Sequence, residues 1–265
     1  MRQFSTLQER YIEAFLPDDL SVEVYDNALG ELKKFLEERY PESHYTSHQN
    51  WNCNIVISPS GAPKLESKLS FAHDIWSKKK NKNEQRDWRV RIEKKRLIIN
   101  YCKNKIEDSG SFPEFLNFCE PIINFYLNKL AIPAFPNIKL SYQFKYDFNT
   151  VANKIFCDEK WIEIKDIFTI FASTYQNAPN DFMSFIPPYQ HEQTLRLKDD
   201  FLLHSNLTAS ERNEKLAIFM TLSAWQSKEA PSPCSLLSVL FDKLKIIYCL
   251  MLTKKVRDYL KDDWK

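Results

Sequence analysis

From Ile138 to Asn149 the chain alternates without a break. Ile138, Leu140, Tyr142, Phe144, Tyr146 and Phe148 are apolar, and Lys139, Ser141, Gln143, Lys145, Asp147 and Asn149 are polar. A period of two over this length, rich in aromatics, predicts a half-buried β-strand with one wet face. Residues 11–25 predict an opening strand region from Tyr11, Ile12, Phe15 and Leu16, then Leu20, Val22 and Val24 alternating after Pro17. A helix is expected from about Asn27 to Tyr40, with Asp26 as N-cap, Leu29, Leu32, Phe35 and Leu36 at helical spacing, and Pro41 as its stop. Trp51 to Ser58 predicts a strand, Ser58 to Pro63 a loop, and Leu65 to Trp76 fits strand or short helix.

The clearest hairpin joins Trp88, Val90 and Ile92, through a turn at Lys94-Lys95, to Leu97, Ile99 and Tyr101. Ser111 is placed to cap a second helix running to about Leu130. Its stripe includes Phe115, Phe118, Cys119, Ile122, Ile123, Tyr126 and Leu127, and Pro121 is expected to kink or interrupt it. Further on, residues 164–174 suggest a helix. Phe182–Tyr189, Thr194–Lys198, Phe201–Asn206 and Leu216–Trp225 suggest strands, the middle two joined tightly at Asp199-Asp200. Ser232-Pro233 opens a terminal helix to about Lys261. Hairpins dominate, so the expected fold class is α+β, with mainly antiparallel sheets and helices packed on one face. The length fits one large domain or two pseudo-similar halves, 1–150 with the hairpin and 151–265 ending in the long helix.

Composition narrows function by exclusion. The chain has 265 residues but only 3 Gly, each far from the others. Phosphate-cradling loops need clustered glycines, which sets aside P-loop and Rossmann chemistry. Six scattered cysteines form no Cys-x-x-Cys pair and suggest reduced, buried thiols without a zinc site. No apolar run is long enough to span a bilayer and the first residues lack an apolar signal core, so a soluble, cytoplasmic protein is expected. No cofactor is implied.

Charge is the exception to this blandness. Between Lys78 and Lys105, twelve basic residues face three acidic ones, a local charge of +9 in a chain whose net charge is +2. The partner-binding candidates are Arg89, Arg91, Lys94, Lys95 and Arg96 on the hairpin, with Lys78, Lys79 and Lys80 before it. Such a surface fits an acidic protein partner, or nucleic-acid phosphates with salt-sensitive affinity. It also fits plain solvation of an exposed hairpin. Trp88 and Tyr101 fall on the apolar side, which disfavours base stacking.

Two histidine groups raise chemistry. His44 and His48 could bind metal if helical, but Pro41 and their polar surroundings favour a solvated loop or strand. His191, Glu192 and His204 could set an acid and a base across adjacent strands, though exposed hairpin positions explain them as well. No nucleophile sits among the glycines that an elbow needs.

Four stretches carry a family resemblance: the opening strand and first helix, Trp88-Arg-Val-Arg-Ile-Glu, the Lys139-Leu-Ser-Tyr-Gln-Phe strand after a Phe-rich helix, and the terminal Tyr248-Cys-Leu-Met-Leu-Thr-Lys-Lys-Val-Arg-Asp-Tyr. In these the chain resembles an uncharacterised prokaryotic family of similar length and sporadic distribution. That resemblance implies mobile or defence-associated genes, including accessories of phage-defence or CRISPR loci, and it transfers no catalytic motif. The expected function is a non-enzymatic protein-interaction module, an adaptor or regulatory subunit. The alternative is a nucleic-acid-binding protein using the same 78–105 surface.

Overall fold

A computed structural model describes residues 7–18, 20–57, 63–78, 87–101, 112–147, 167–168, 189–196, 201–212, 215–226 and 233–260. Nine strands form one antiparallel sheet in the order β2-β3-β4-β5-β1-β6-β9-β8-β7. These are β1 (Leu7–Phe15), β2 (Ser43–Ile57), β3 (Pro63–Ser77), β4 (Trp88–Glu93), β5 (Arg96–Tyr101), β6 (Asn137–Asp147), β7 (Tyr189–Arg196), β8 (Phe201–Arg212) and β9 (Lys215–Gln226). The helices among the described residues are α1 (Val22–Arg39), α2 (Phe112–Leu130), α3 (Pro233–Met251) and α4 (Lys254–Leu260). The fold is α+β with an open sheet.

The long alternating stretch is β6, at the middle of the sheet between β1 and β9. Ile138, Leu140, Tyr142, Phe144 and Tyr146 are all buried on the side that α2 and α3 cover. Phe241 of α3 packs on Tyr142, Tyr248 packs on Phe144, and Phe118 of α2 packs on Trp88 and Tyr101. Leu32 and Leu36 of α1 join the same core. Burial of this aromatic surface drives the helices onto one face.

Among the described residues the chain makes two runs. The first holds β1, α1, the meander β2 to β5 and α2; the second holds β6, the meander β7 to β9 and α3. In each run the first strand pairs with the last strand of its meander, β1 with β5 and β6 with β9. β1 and β6 then lie side by side, antiparallel, so one continuous sheet spans both runs. The second run begins at β6, ahead of residue 150.

Several local expectations change. Leu20, Val22 and Val24 alternate as a strand would, yet Val22 opens α1. Ser21 is the N-cap, its Oγ accepting from the Val24 N–H at 3.3 Å, and Glu23 complements the first turn. Capping outweighs β propensity there, and Val22 and Val24 remain exposed. His44 and His48 belong to β2, the strand side of the loop-or-strand expectation, because β3 supplies their backbone partners and a sheet edge tolerates polar residues. The ambiguous 65–76 stretch is strand β3. Pro121 does not interrupt α2. It forfeits one hydrogen bond, while Phe118, Cys119, Ile122 and Ile123 hold both flanking turns in the core.

The terminal helix is two helices. At the break the Thr253 N–H donates to Ile167 O at 2.9 Å and Leu252 bridges Phe168, so backbone groups turn from the helix to that segment. Ser111, Asp199-Asp200, Ser232, most of 164–174, the 58–62 loop and residues 182–188 lie outside the described residues. No helix among the described residues is long and apolar enough to cross a membrane.

Candidate interaction face

Strand register sorts every described side chain of the sheet to the helix-covered face or to the opposite one. The opposite face carries Glu9, Tyr11, Glu13 and Phe15 of β1, Arg89, Arg91 and Glu93 of β4, and Arg96 and Asn100 of β5. Lys139, Ser141, Gln143 and Lys145 of β6 share it, as do Phe219, Thr221, Ser223 and Trp225 of β9. No described helix packs there.

In the first run this face is ionic and self-paired. The Arg91 guanidinium donates to both Asp74 oxygens, at 2.7 and 2.8 Å. His48 Nε2 lies 3.2 Å from the same carboxylate. Arg96 reaches Glu93 at 2.6 Å and Glu13 at 2.8 Å, and Lys139 meets the other Glu13 oxygen at 3.0 Å. Arg89 donates to Asn100 at 3.4 Å, and Asn100 donates to Glu9. The pairs are partly desolvated, with Asp74 1% and Glu13 8% exposed, so they hold more firmly than surface pairs would. Burial pushes the Asp74 carboxyl up. Arg91, hydrogen-bonded and charged beside it, with Arg89 and His48 nearby, outweighs that and keeps it below its ordinary value.

In the second run the same face is mostly uncharged. Ser141 and Ser223 share a buried hydroxyl–hydroxyl bond of 2.8 Å. Thr194 Oγ1 lies 3.1 Å from His204 Nδ1, and Glu192 lies 3.5 Å from His204 Nε2. Aromatics mark its border with β6. Lys139 Nζ sits 5.9 Å from the Trp225 ring centre and Lys145 Nζ 5.7 Å from that of Phe219. Phe219 is 41% exposed.

The sequence candidates therefore separate. Arg89, Arg91 and Arg96 do share this face, but each is engaged by a protein group. Lys95, at the hairpin turn, pairs with Asp18 at 2.7 Å, both well exposed. Lys78 and Lys94 are exposed, and Lys79 and Lys80 lie outside the described residues. His204 and Glu192 come together, whereas the register sets His191 on the other parity of β7, opposite Leu207. Ser223 stands opposite His204. In that arrangement the imidazole lies against Thr194 and Glu192, and the serine hydroxyl against Ser141.

Among the described residues no group of three or more His, Cys, Asp or Glu is placed to hold a metal ion. Cys119 and Cys249 are thiols rather than disulfide partners. On the covered side, an open cleft of about 480 Å³ separates α2 from α3, bordered by Phe112, Glu120, Phe241 and Asp242. Nothing in the sequence pattern announced it, because it forms where two helices distant in the chain diverge. Trp225 and Phe219 were also missed as site residues. Their signal is the odd-numbered, supposedly wet parity of β9, which is aromatic where β6 has lysines. No family model matches the chain, and no curated protein matches it.

Proposed function

We propose that this chain is a non-enzymatic protein-interaction module, an adaptor or regulatory subunit, which contacts its partner through the helix-free face of the sheet. The observation that carries this reading is the mutual pairing of the face's ions. Arg91, Arg96 and Lys139 already meet Asp74, Glu93 and Glu13. Phosphate binding depends on cations that can release counterions, and cations held by carboxylates have little of that to offer. A neutralised, rigid polar surface bordered by Trp225, Phe219, Tyr11 and Phe15 has instead the Trp/Tyr/Arg character of protein contacts. The resemblance to a sporadically distributed prokaryotic family extends the proposal to an accessory component of a phage-defence system.

The test is capture of a protein from the native host by the tagged chain. Wild type is expected to retain a stoichiometric protein after nuclease treatment, and a Trp225→Ser/Phe219→Ser/Lys145→Glu variant to lose it. Capture that vanishes with nuclease, or steep salt-dependent retardation of DNA or RNA, supports the nucleic-acid alternative instead.

A further inference from the structure

One edge of the sheet is built unlike the other. β2 runs 15 residues, Ser43 to Ile57, with no Asp, Glu, Lys, Arg or Pro among them. Edge strands ordinarily carry charge, proline or a bulge, because an unpaired ladder invites another strand. β7, at the far edge, follows that rule: it is 8 residues long and includes Glu192 and Arg196. β2 also outruns the sheet. It pairs with β3 along its full length, but β4 meets β3 only from Ala72 to Trp76. The nine pairs from Gln49↔Phe71 to Ile57↔Pro63 therefore form a two-stranded arm with no third strand among the described residues. At β-strand rise that arm is ~30 Å long, and a lone two-stranded ribbon is marginal in water.

We propose that β2 pairs with β2 of a second copy of this chain, antiparallel about a two-fold axis at Asn50, so that each arm lies along the sheet-anchored half of its partner's β2. This supplies the missing third strand to both arms at once. Centred on Asn50, the antiparallel register aligns each backbone position from 43 to 49 with one from 51 to 57 of the second copy, so the full length of both strands pairs. No like charges meet, because β2 has none. The contact strip is ~50 Å by ~10 Å, about 1,000 Å² over both copies, which meets the ~1,000 Å² minimum of a biological interface. Pairing β2 with β7 instead strands seven residues of β2 and builds an open-ended chain, whereas β2 with β2 closes. The product joins two helix-free faces into one continuous surface with two equivalent contact regions, and it stands whether or not that face binds a protein.

The test is mass in solution by light scattering or sedimentation. Wild type is expected at about 63 kDa, twice the 31.5 kDa chain. Asn50→Lys and Asn50→Asp, which set like charges at the two-fold, are each expected as monomers, and their equimolar mixture as a dimer. Thr194→Lys on β7 leaves the dimer intact. A wild-type monomer throughout the micromolar range, or an undiminished dimer in Asn50→Lys, overturns the proposal. Amide exchange of the wild type needs no variant and covers a folding failure. Residues 43–57 are expected to exchange more slowly at high protein concentration than at low, and equal rates count against the pairing.

Discussion

Leu140 and Ser141 are neighbours in β6 and both are 0% exposed, yet they are buried for opposite reasons. Leu140 lies on the covered face, among Ile12, Leu222 and the aromatic side chains that α2 and α3 press onto the sheet. Ser141 lies on the face where no described helix packs, and its hydroxyl bonds that of Ser223. One face is closed by an apolar layer and the other by polar groups that satisfy one another. The first supplies most of the stability, and the second is held by its own hydrogen bonds and ion pairs.

Truncation distinguishes the two faces. Leu140→Ala should cost about 3 kcal/mol in urea unfolding, the transfer and cavity loss of a buried leucine. Asp74→Ala should cost about 2 kcal/mol, below the ~3–5 kcal/mol for breaking a fully buried ion pair, because Arg91 keeps partial access to water. Ser141→Ala and Ser223→Ala should each cost about 1 kcal/mol, and the double variant clearly less than their sum, since each single change strands a buried hydroxyl. Lys139→Ala should stay within about 0.5 kcal/mol of wild type. A Lys139→Ala loss as large as that of Leu140→Ala would erase the distinction.

Acid offers a further contrast. The folded-state pKa of Asp74 is depressed below its ordinary 3.8. Its ion pair therefore contributes stability that is fully present above about pH 4 and lost as pH falls through the folded value. Asp74→Asn should be less stable than wild type at neutral pH, and the gap should narrow below about pH 4. Leu140→Ala has no titrating group to lose, so its deficit should hold steady over the same range.

How much of this was legible in the chain depends on how local the cause is. The alternation of β6, the 88–101 hairpin and the stripe of α2 depend on neighbours in sequence, and each is found where the pattern puts it. The start of α1 was missed because one hydroxyl, Ser21, outweighs the β-branched Val22 and Val24. The pairing of the charges was hidden for a different reason. Arg91 meets Asp74 seventeen residues away and Arg96 meets Glu13 eighty-three residues away, so their neutralisation is a product of strand register that no local tally contains. The two-stranded arm is likewise a property of where β4 stops pairing.

The claim at the centre is that the helix-free face meets a protein. Quantitative capture from the native host, nuclease-treated, with wild type beside Trp225→Ser/Phe219→Ser/Lys145→Glu, tests it most directly. The expected result is a stoichiometric protein retained by wild type and lost by a variant of unchanged thermal stability. Equal capture by both, or capture that disappears with nuclease, would contradict it.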